Sequence, residues 1–109
     1  MDLSIRNKMN DTDIEQLIQY KQLTAPRLTP EDIDAKIASV TYTILPSGKV
    51  MICEITLTNG FSVRGEAATV SKANFDEEIG QIISLKNAKE KIWQLEGYLL
   101  QEILSKGTQ

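Results

Sequence analysis

The run VTYTILPSGKVMICEITLTNGFSVRGEAA, residues 40–68, decides the fold. Three stretches rich in β-branched and apolar residues, 40–45, 50–57 and 61–67, are parted by Pro46-Ser47-Gly48-Lys49 and by Asn59-Gly60. Short apolar runs bounded by turn residues read as strands joined by hairpins. The second connection tests the register. A two-residue Asn-Gly loop sets Leu57 against Ser62 and Ile55 against Arg64, so apolar and polar side chains share a face. A three-residue loop, Thr58-Asn59-Gly60 with Gly60 left-handed, sets Leu57 against Phe61, Ile55 against Val63 and Glu54 against Arg64. The buried face selects the register, and it selects the three-residue loop.

A four-residue loop over 46–49 then brings Ile44 beside Met51 and Tyr42 beside Cys53. The prediction is a three-stranded antiparallel meander. Its inner face holds Tyr42, Ile44, Met51, Cys53, Ile55, Leu57, Phe61 and Val63. Its outer face carries Thr41, Thr43, Ile52, Glu54, Thr56, Ser62, Arg64 and Glu66.

Upstream, two short helices are expected. Thr12 and Glu15 have capping-box spacing, with Ile14, Leu17 and Ile18 on one face. A break follows at Leu23-Thr24-Ala25-Pro26-Arg27. Thr29 then serves as N-cap and Pro30 as the first helical residue, ahead of an apolar stripe of Ile33 and Ile37. Downstream, Ser71 or Asn74 caps a helix bearing Phe75, Ile79, Ile82 and Ile83, with Gly80 inside it. A weak break at Ser84-Leu85 precedes a long helix over about 86–104, with Ala88, Ile92, Leu95, Leu99 and Ile103 on its apolar face. The fold class is α+β: an antiparallel meander packed with helices, two short amino-terminal helices and a long carboxy-terminal one. Residues 1–24 form a helical appendage and residues 25–106 one domain.

The chain has 109 residues, 41% hydrophobic and 25% charged, which suits a globular domain rather than a disordered one. With only 6% aromatics its core is thin, and small domains often complete their apolar burial by oligomerising. Histidine is absent and there is one cysteine, so imidazole catalysis, an internal disulfide and a cysteine metal cluster are excluded. Cys53 falls on an apolar strand face, and the serines have no histidine to activate them. The triplet Asp76-Glu77-Glu78 is what a helix amino terminus favours. No catalytic residue, metal site or cofactor is expected, and the chain is not read as an enzyme.

A formal net charge of −3 opposes binding to long nucleic acids, which rests on many cation–phosphate contacts. No stretch is long and apolar enough to span a membrane. The start, Met1-Asp2-Leu3-Ser4-Ile5-Arg6, lacks the apolar run of a signal peptide, and one unpaired thiol suits a reducing interior.

A small anionic ligand needs only two or three cations. Arg27 in a loop, Arg64 on the polar sheet face and Lys72 beside a helix start have the right chemistry, with a helix amino terminus to assist. Phe75 offers a ring for stacking and Asn87 an amide for polar edges. Each has a structural reading: Arg64 paired with Glu54, Arg27 and Lys72 solvated, Phe75 in the core, Asn87 a helix cap. Tyr98, after Gly97, marks a helix contact or a dimer seam.

Three phrases occur in order: Ala25-Pro26-Arg27-Leu28-Thr29-Pro30; Asn59-Gly60-Phe61 followed by Asn74-Phe75-Asp76-Glu77-Glu78-Ile79-Gly80; and AKEKIWQLEGYLL over 88–100. With them the chain resembles a family of small tailed-phage and prophage proteins. That family is similar to the Thoeris anti-defence proteins, phage-encoded sponges for the cyclic ADP-ribose isomer made by bacterial TIR-domain enzymes. The resemblance implies a homo-oligomer, a dimer or multiple of dimers, in the host bacterial cytoplasm. It would sequester a cyclic nucleotide, including cyclic di- or trinucleotides, without cleaving it. It offers Arg27, Arg64, Phe75 and Asn87 as ligand contacts. Competing with a sensitive receptor requires nanomolar binding, about −12 kcal/mol, which favours a pocket buried between copies on the long helix and sheet. The alternative is a protein–protein adaptor that blocks a host factor through its acidic helical surface.

Overall fold

The structure, a computed structural model, describes residues 11–21 and 25–107. The expectations for Met1–Arg6 and for Leu23-Thr24 lie outside the described residues. In chain order the elements are α1 (Asp11–Tyr20), α2 (Pro30–Ala35), β1 (Ile37–Ile44), β2 (Val50–Leu57), β3 (Ser62–Ala68), a 3-10 turn (Lys72–Asn74) and α3 (Glu77–Gly107). The sheet order β1-β2-β3 is antiparallel throughout, so the molecule is the α+β meander that the strand pattern predicts.

The register also agrees. Gly60 has φ +91°, its N–H donates to the Leu57 carbonyl (2.9 Å), and the Leu57 N–H donates to that of Phe61 (2.7 Å). Ile55 stands opposite Val63, Glu54 opposite Arg64, Tyr42 opposite Cys53 and Ile44 opposite Met51. β1 starts at Ile37, earlier than the apolar run suggests, with a bulge between Ile37 and Ser39. Accordingly Ile37 belongs to a strand and not to the stripe of the preceding helix. That helix, α2, has the reciprocal capping box of Thr29 and Asp32, with Pro30 in its first turn and Ile33 buried. In α1, by contrast, Thr12 lies within the helix and Glu15 is held by Arg27, so the capping-box reading there is corrected.

The carboxy-terminal region departs most from expectation. A single 31-residue helix replaces two, and Ser84-Leu85 is no break. Its N-cap is neither Ser71 nor Asn74 but Asp76, whose Oδ1 accepts from the Ile79 N–H (2.9 Å). Phe75 precedes the helix instead of joining it. The face turned to the sheet is Gly80, Ser84, Ala88 and Ile92, all buried, while Ile79, Ile82 and Ile83 are exposed. Ser84 is small enough to lie against the sheet, and its hydroxyl is directed to the Gln81 carbonyl (3.4 Å).

The reason lies on β3. A Cβ built on Gly65 would come 2.2 Å from the Ala88 nitrogen and 2.5 Å from the Ser84 oxygen. Backbone meets backbone here, with no room for a side chain. Around this contact Ile33, Cys53, Ile55, Leu57, Val63, Ala88 and Ile92 form the core, with Leu28, Tyr42, Leu85 and Trp93 packed against it.

Helix and sheet also differ in length. Thirty-one residues at 1.5 Å each make about 46 Å of helix, against about 27 Å for an eight-residue strand. The distal turns of α3 therefore pass beyond the sheet. Leu95, Leu99 and Ile103 continue the buried face yet are 40%, 47% and 55% exposed. Phe61, assigned to the inner face, sits before β3 at that same end and is also exposed.

Gly65→Ala must push α3 off the sheet, and overpacking of this kind costs about 1–3 kcal/mol or more. A Cβ on Gly80 would have as its nearest neighbours the ends of two side chains, the Met51 sulfur and the Phe75 ring, each at 3.4 Å. Gly80→Ala should keep or raise stability, by up to ~1 kcal/mol from helix propensity. Urea unfolding of both variants checks the contrast; equal effects would contradict the packing described.

Candidate functional site

A groove of about 400 Å³ runs along the open side of β3, between that strand and α3. Phe61, Ser62, Val63 and Arg64 form one wall, and Lys91, Gln94, Leu95 and Tyr98 the other. The helix residues recur at three- and four-residue spacing and so lie on one flank of α3. Phe61 follows the three-residue turn and stands just ahead of β3, at the end of the sheet. The groove thus holds two aromatic rings, Phe61 at 56% and Tyr98 at 72% exposure, with two cations and an amide.

Arg64 is only lightly engaged. It donates to Glu54 at 3.3 Å and to the Ser62 hydroxyl at 3.1 Å, and both charged side chains are about half exposed. An exposed pair of this kind is worth well under ~1 kcal/mol, so the guanidinium can turn to an anion at little cost. The rings offer π faces for a planar base, and Gln94 can both donate to and accept from its edge.

The other predicted contacts are dispersed. Asn87 is close by on α3, within the helix and not at its start, so its capping reading is corrected. Its Nδ2 donates to the Glu66 carbonyl (2.8 Å) and fixes the helix to the strand edge. Phe75 lies at the opposite end of α3, half-buried, where its ring and Met51 approach Gly80. Lys72 lays its aliphatic chain against Gly48. Arg27 is on the other side of the helix, donating twice to Glu15 at 2.7 Å. Of the four, Arg64 and Asn87 share an edge, and Arg27 and Phe75 stand apart from it.

Arg27 has its own role in this arrangement. With Glu15 it clasps α1 over a smaller recess lined by Ile14, Ile18, Leu28, Pro30 and Trp93, with Asp11 and Glu90 at its acidic margin. The hydrogen bonds from Arg27, and a lesser one from Gln19, hold the Glu15 carboxyl down to about 2.

Cys53 is fully buried, and burial pushes its thiol up, away from thiolate. Among the described residues no group of acidic or cysteine side chains is arranged to hold a metal ion, and no helix is long and apolar enough to cross a membrane.

Residues 28–104, well over half of the chain, match the model of the phage protein (N4 Gp49/phage Sf6 gene 66) family. The chain belongs to that family. No curated protein and no solved structure matches it. The matched segment of this phage protein contains α2, the sheet and nearly all of α3, and so the whole groove.

The Glu15–Arg27 clasp gives a pH prediction. Because the folded carboxyl titrates below its ordinary value, its stabilisation is complete above about 4.5 and is lost as pH falls towards about 2. Trp93, the sole tryptophan, lines the recess under α1 and should shift its emission to the red across that window. Arg27→Ala should show the red-shifted emission already at neutral pH. An Arg27→Ala spectrum unchanged from the parent would contradict the clasp.

Proposed function

We propose that this phage protein is a non-enzymatic binder that sequesters a cyclic nucleotide immune signal in the host bacterial cytoplasm. The ligand class is a cyclic ADP-ribose isomer, with cyclic oligonucleotides as related guests, and the effect is to blunt Thoeris-type immunity. The observation that carries the reading is the groove itself. Phe61 and Tyr98 flank space for a base, while Arg64 and Lys91 supply charge for phosphate. The groove contains no nucleophile–base pair, which suits holding a ligand intact.

Sequestration needs tight binding, and an open groove beside exposed cations is too wet for it. The uncovered turns of α3 adjoin the groove through Leu95 and Tyr98, so a homo-oligomeric seam formed by this helix would both bury Leu99 and Ile103 and roof the ligand. Desolvating the charge-assisted bonds raises their worth.

The same stripe of Leu95, Leu99 and Ile103 favours a second reading, an adaptor whose helix docks on a host protein. That reading predicts no response to nucleotides.

Cyclic ADP-ribose isomers should raise the melting temperature, and the ligand should be recovered intact after heat denaturation. Arg64→Ala should weaken binding at least about tenfold, the size expected for a lost charge-assisted bond. Tyr98→Ala should weaken it through lost stacking, worth ~1–3 kcal/mol per base. Ligand returned as hydrolysis products, or no shift with any cyclic nucleotide, would overturn the proposal.

A further inference from the structure

The two edges of the sheet are guarded very differently. On β3 the outward-facing main chain belongs to Ser62, Arg64, Glu66 and Ala68, because the intervening residues bond to β2. Two of these four are charged, and the Glu66 carbonyl is already taken by Asn87. On β1 the Leu45 N–H donates to the Val50 carbonyl, which turns Thr43 and Thr41 towards β2 in step. The main chain of Val40, Tyr42 and Ile44 consequently faces outwards. No charged residue and no proline occurs anywhere in Ile37–Ile44, and beyond the bulge the strand is regular from Ser39. Natural edges are ordinarily blunted by charge, proline or cover, and among the described residues this one has none of them along six residues.

The side chains are also uncovered. α3 lies over β2 and β3, leaving Val40, Ile44 and Leu45 each more than a third exposed. We propose that a second copy of the chain pairs antiparallel along β1, joining two meanders into one six-stranded sheet. With Tyr42 at the two-fold axis, Val40 of each copy bonds to Ile44 of the other. The inner-face side chains of Val40, Tyr42 and Ile44 from both copies then form one apolar strip.

Charge favours the arrangement. A neutral strand places no like charges opposite one another. Antiparallel pairing also carries the acidic α2 that leads into β1, with Glu31, Asp32 and Asp34, the last already paired with Lys89 at 3.0 Å, towards Lys49 at the far end of the other strand. Lys36, at the acidic end, is engaged by Glu96 at 3.5 Å. This contact is on the far side of the sheet from the groove. It goes beyond the ligand reading and stands even if that groove binds nothing.

The test uses the full chain, with sedimentation for mass and amide hydrogen exchange for the edge. In the assembled protein the amides of Val40, Tyr42 and Ile44 should be protected. Ile44→Lys should raise the exchange of Tyr42 roughly 100-fold and halve the mass of the assembly, any seam on α3 staying in place, while leaving cooperative melting intact. Val40→Pro, which removes an outward N–H and keeps the bonds to β2, should do the same and covers the case in which the lysine variant does not fold. A monomer at tens of micromolar would overturn the proposal. So would edge amides that exchange fast in the assembly, or that stay protected in a monomer because another part of the chain covers them. An assembly left at its parental mass by both β1 variants, and lowered in mass by Leu99→Lys alone, would place the contact on α3 instead.

Discussion

The contact of Gly65 with the helix backbone at Ser84 and Ala88 sets the rest of the molecule in place. A side chain of any size on β3 would hold α3 away, and a large residue at 84 or 88 would do the same from the other side. With all three small, main chain packs on main chain, and Ile92 and Ile55 close the core beyond it. From that closeness follow the depth of the β3 edge, the reach of Asn87 to the Glu66 carbonyl and the placing of Lys91, Gln94 and Tyr98 opposite Arg64. The groove is a by-product of where small residues let the helix sit.

The same contact explains the uncovered apolar surface. One helix spans about two strands' width, so a three-stranded sheet with its single long helix centred on β2 and β3 leaves β1 bare. The helix is also longer than the sheet, so its last turns are bare as well. A thin core of few aromatics cannot cover either region from within the described residues. Among the described residues β1, the distal stripe of α3 and the isoleucines near its start thus each present apolar side chains to solvent.

The meander was legible in the sequence because its signals are local. Gly60 permits one left-handed turn, and alternation then decides which of two loop lengths keeps Ile55 and Val63 on one face. The helix was misread because its buried side has almost no hydrophobic signal. Gly80, Ser84 and Ala88 are small, whereas the nearby Ile79, Ile82 and Ile83 draw the eye to the face that is left in solvent. Ser84, which looks like a helix break, is the residue that lets the sheet come close. The site was half legible for a related reason. Arg64 and Asn87 are polar residues in strongly patterned segments, but Phe61, Lys91 and Gln94 become groove residues only once α3 is set against β3. No local pattern encodes that register. Phe61 in particular alternates correctly with the inner face and is displaced from it only because the sheet ends there.

Membership of the phage protein (N4 Gp49/phage Sf6 gene 66) family agrees with the small size of the domain and carries no chemistry of its own. The chemistry rests on the groove, and the most direct measurement is made there. Titration of isotope-labelled protein with a cyclic ADP-ribose isomer, followed by NMR, should move the Arg64 Nε–H, the Gln94 amide and the rings of Phe61 and Tyr98 together at one saturation point. Shifts confined to Phe75 or Arg27, or spectra unchanged at saturating ligand, would contradict the account.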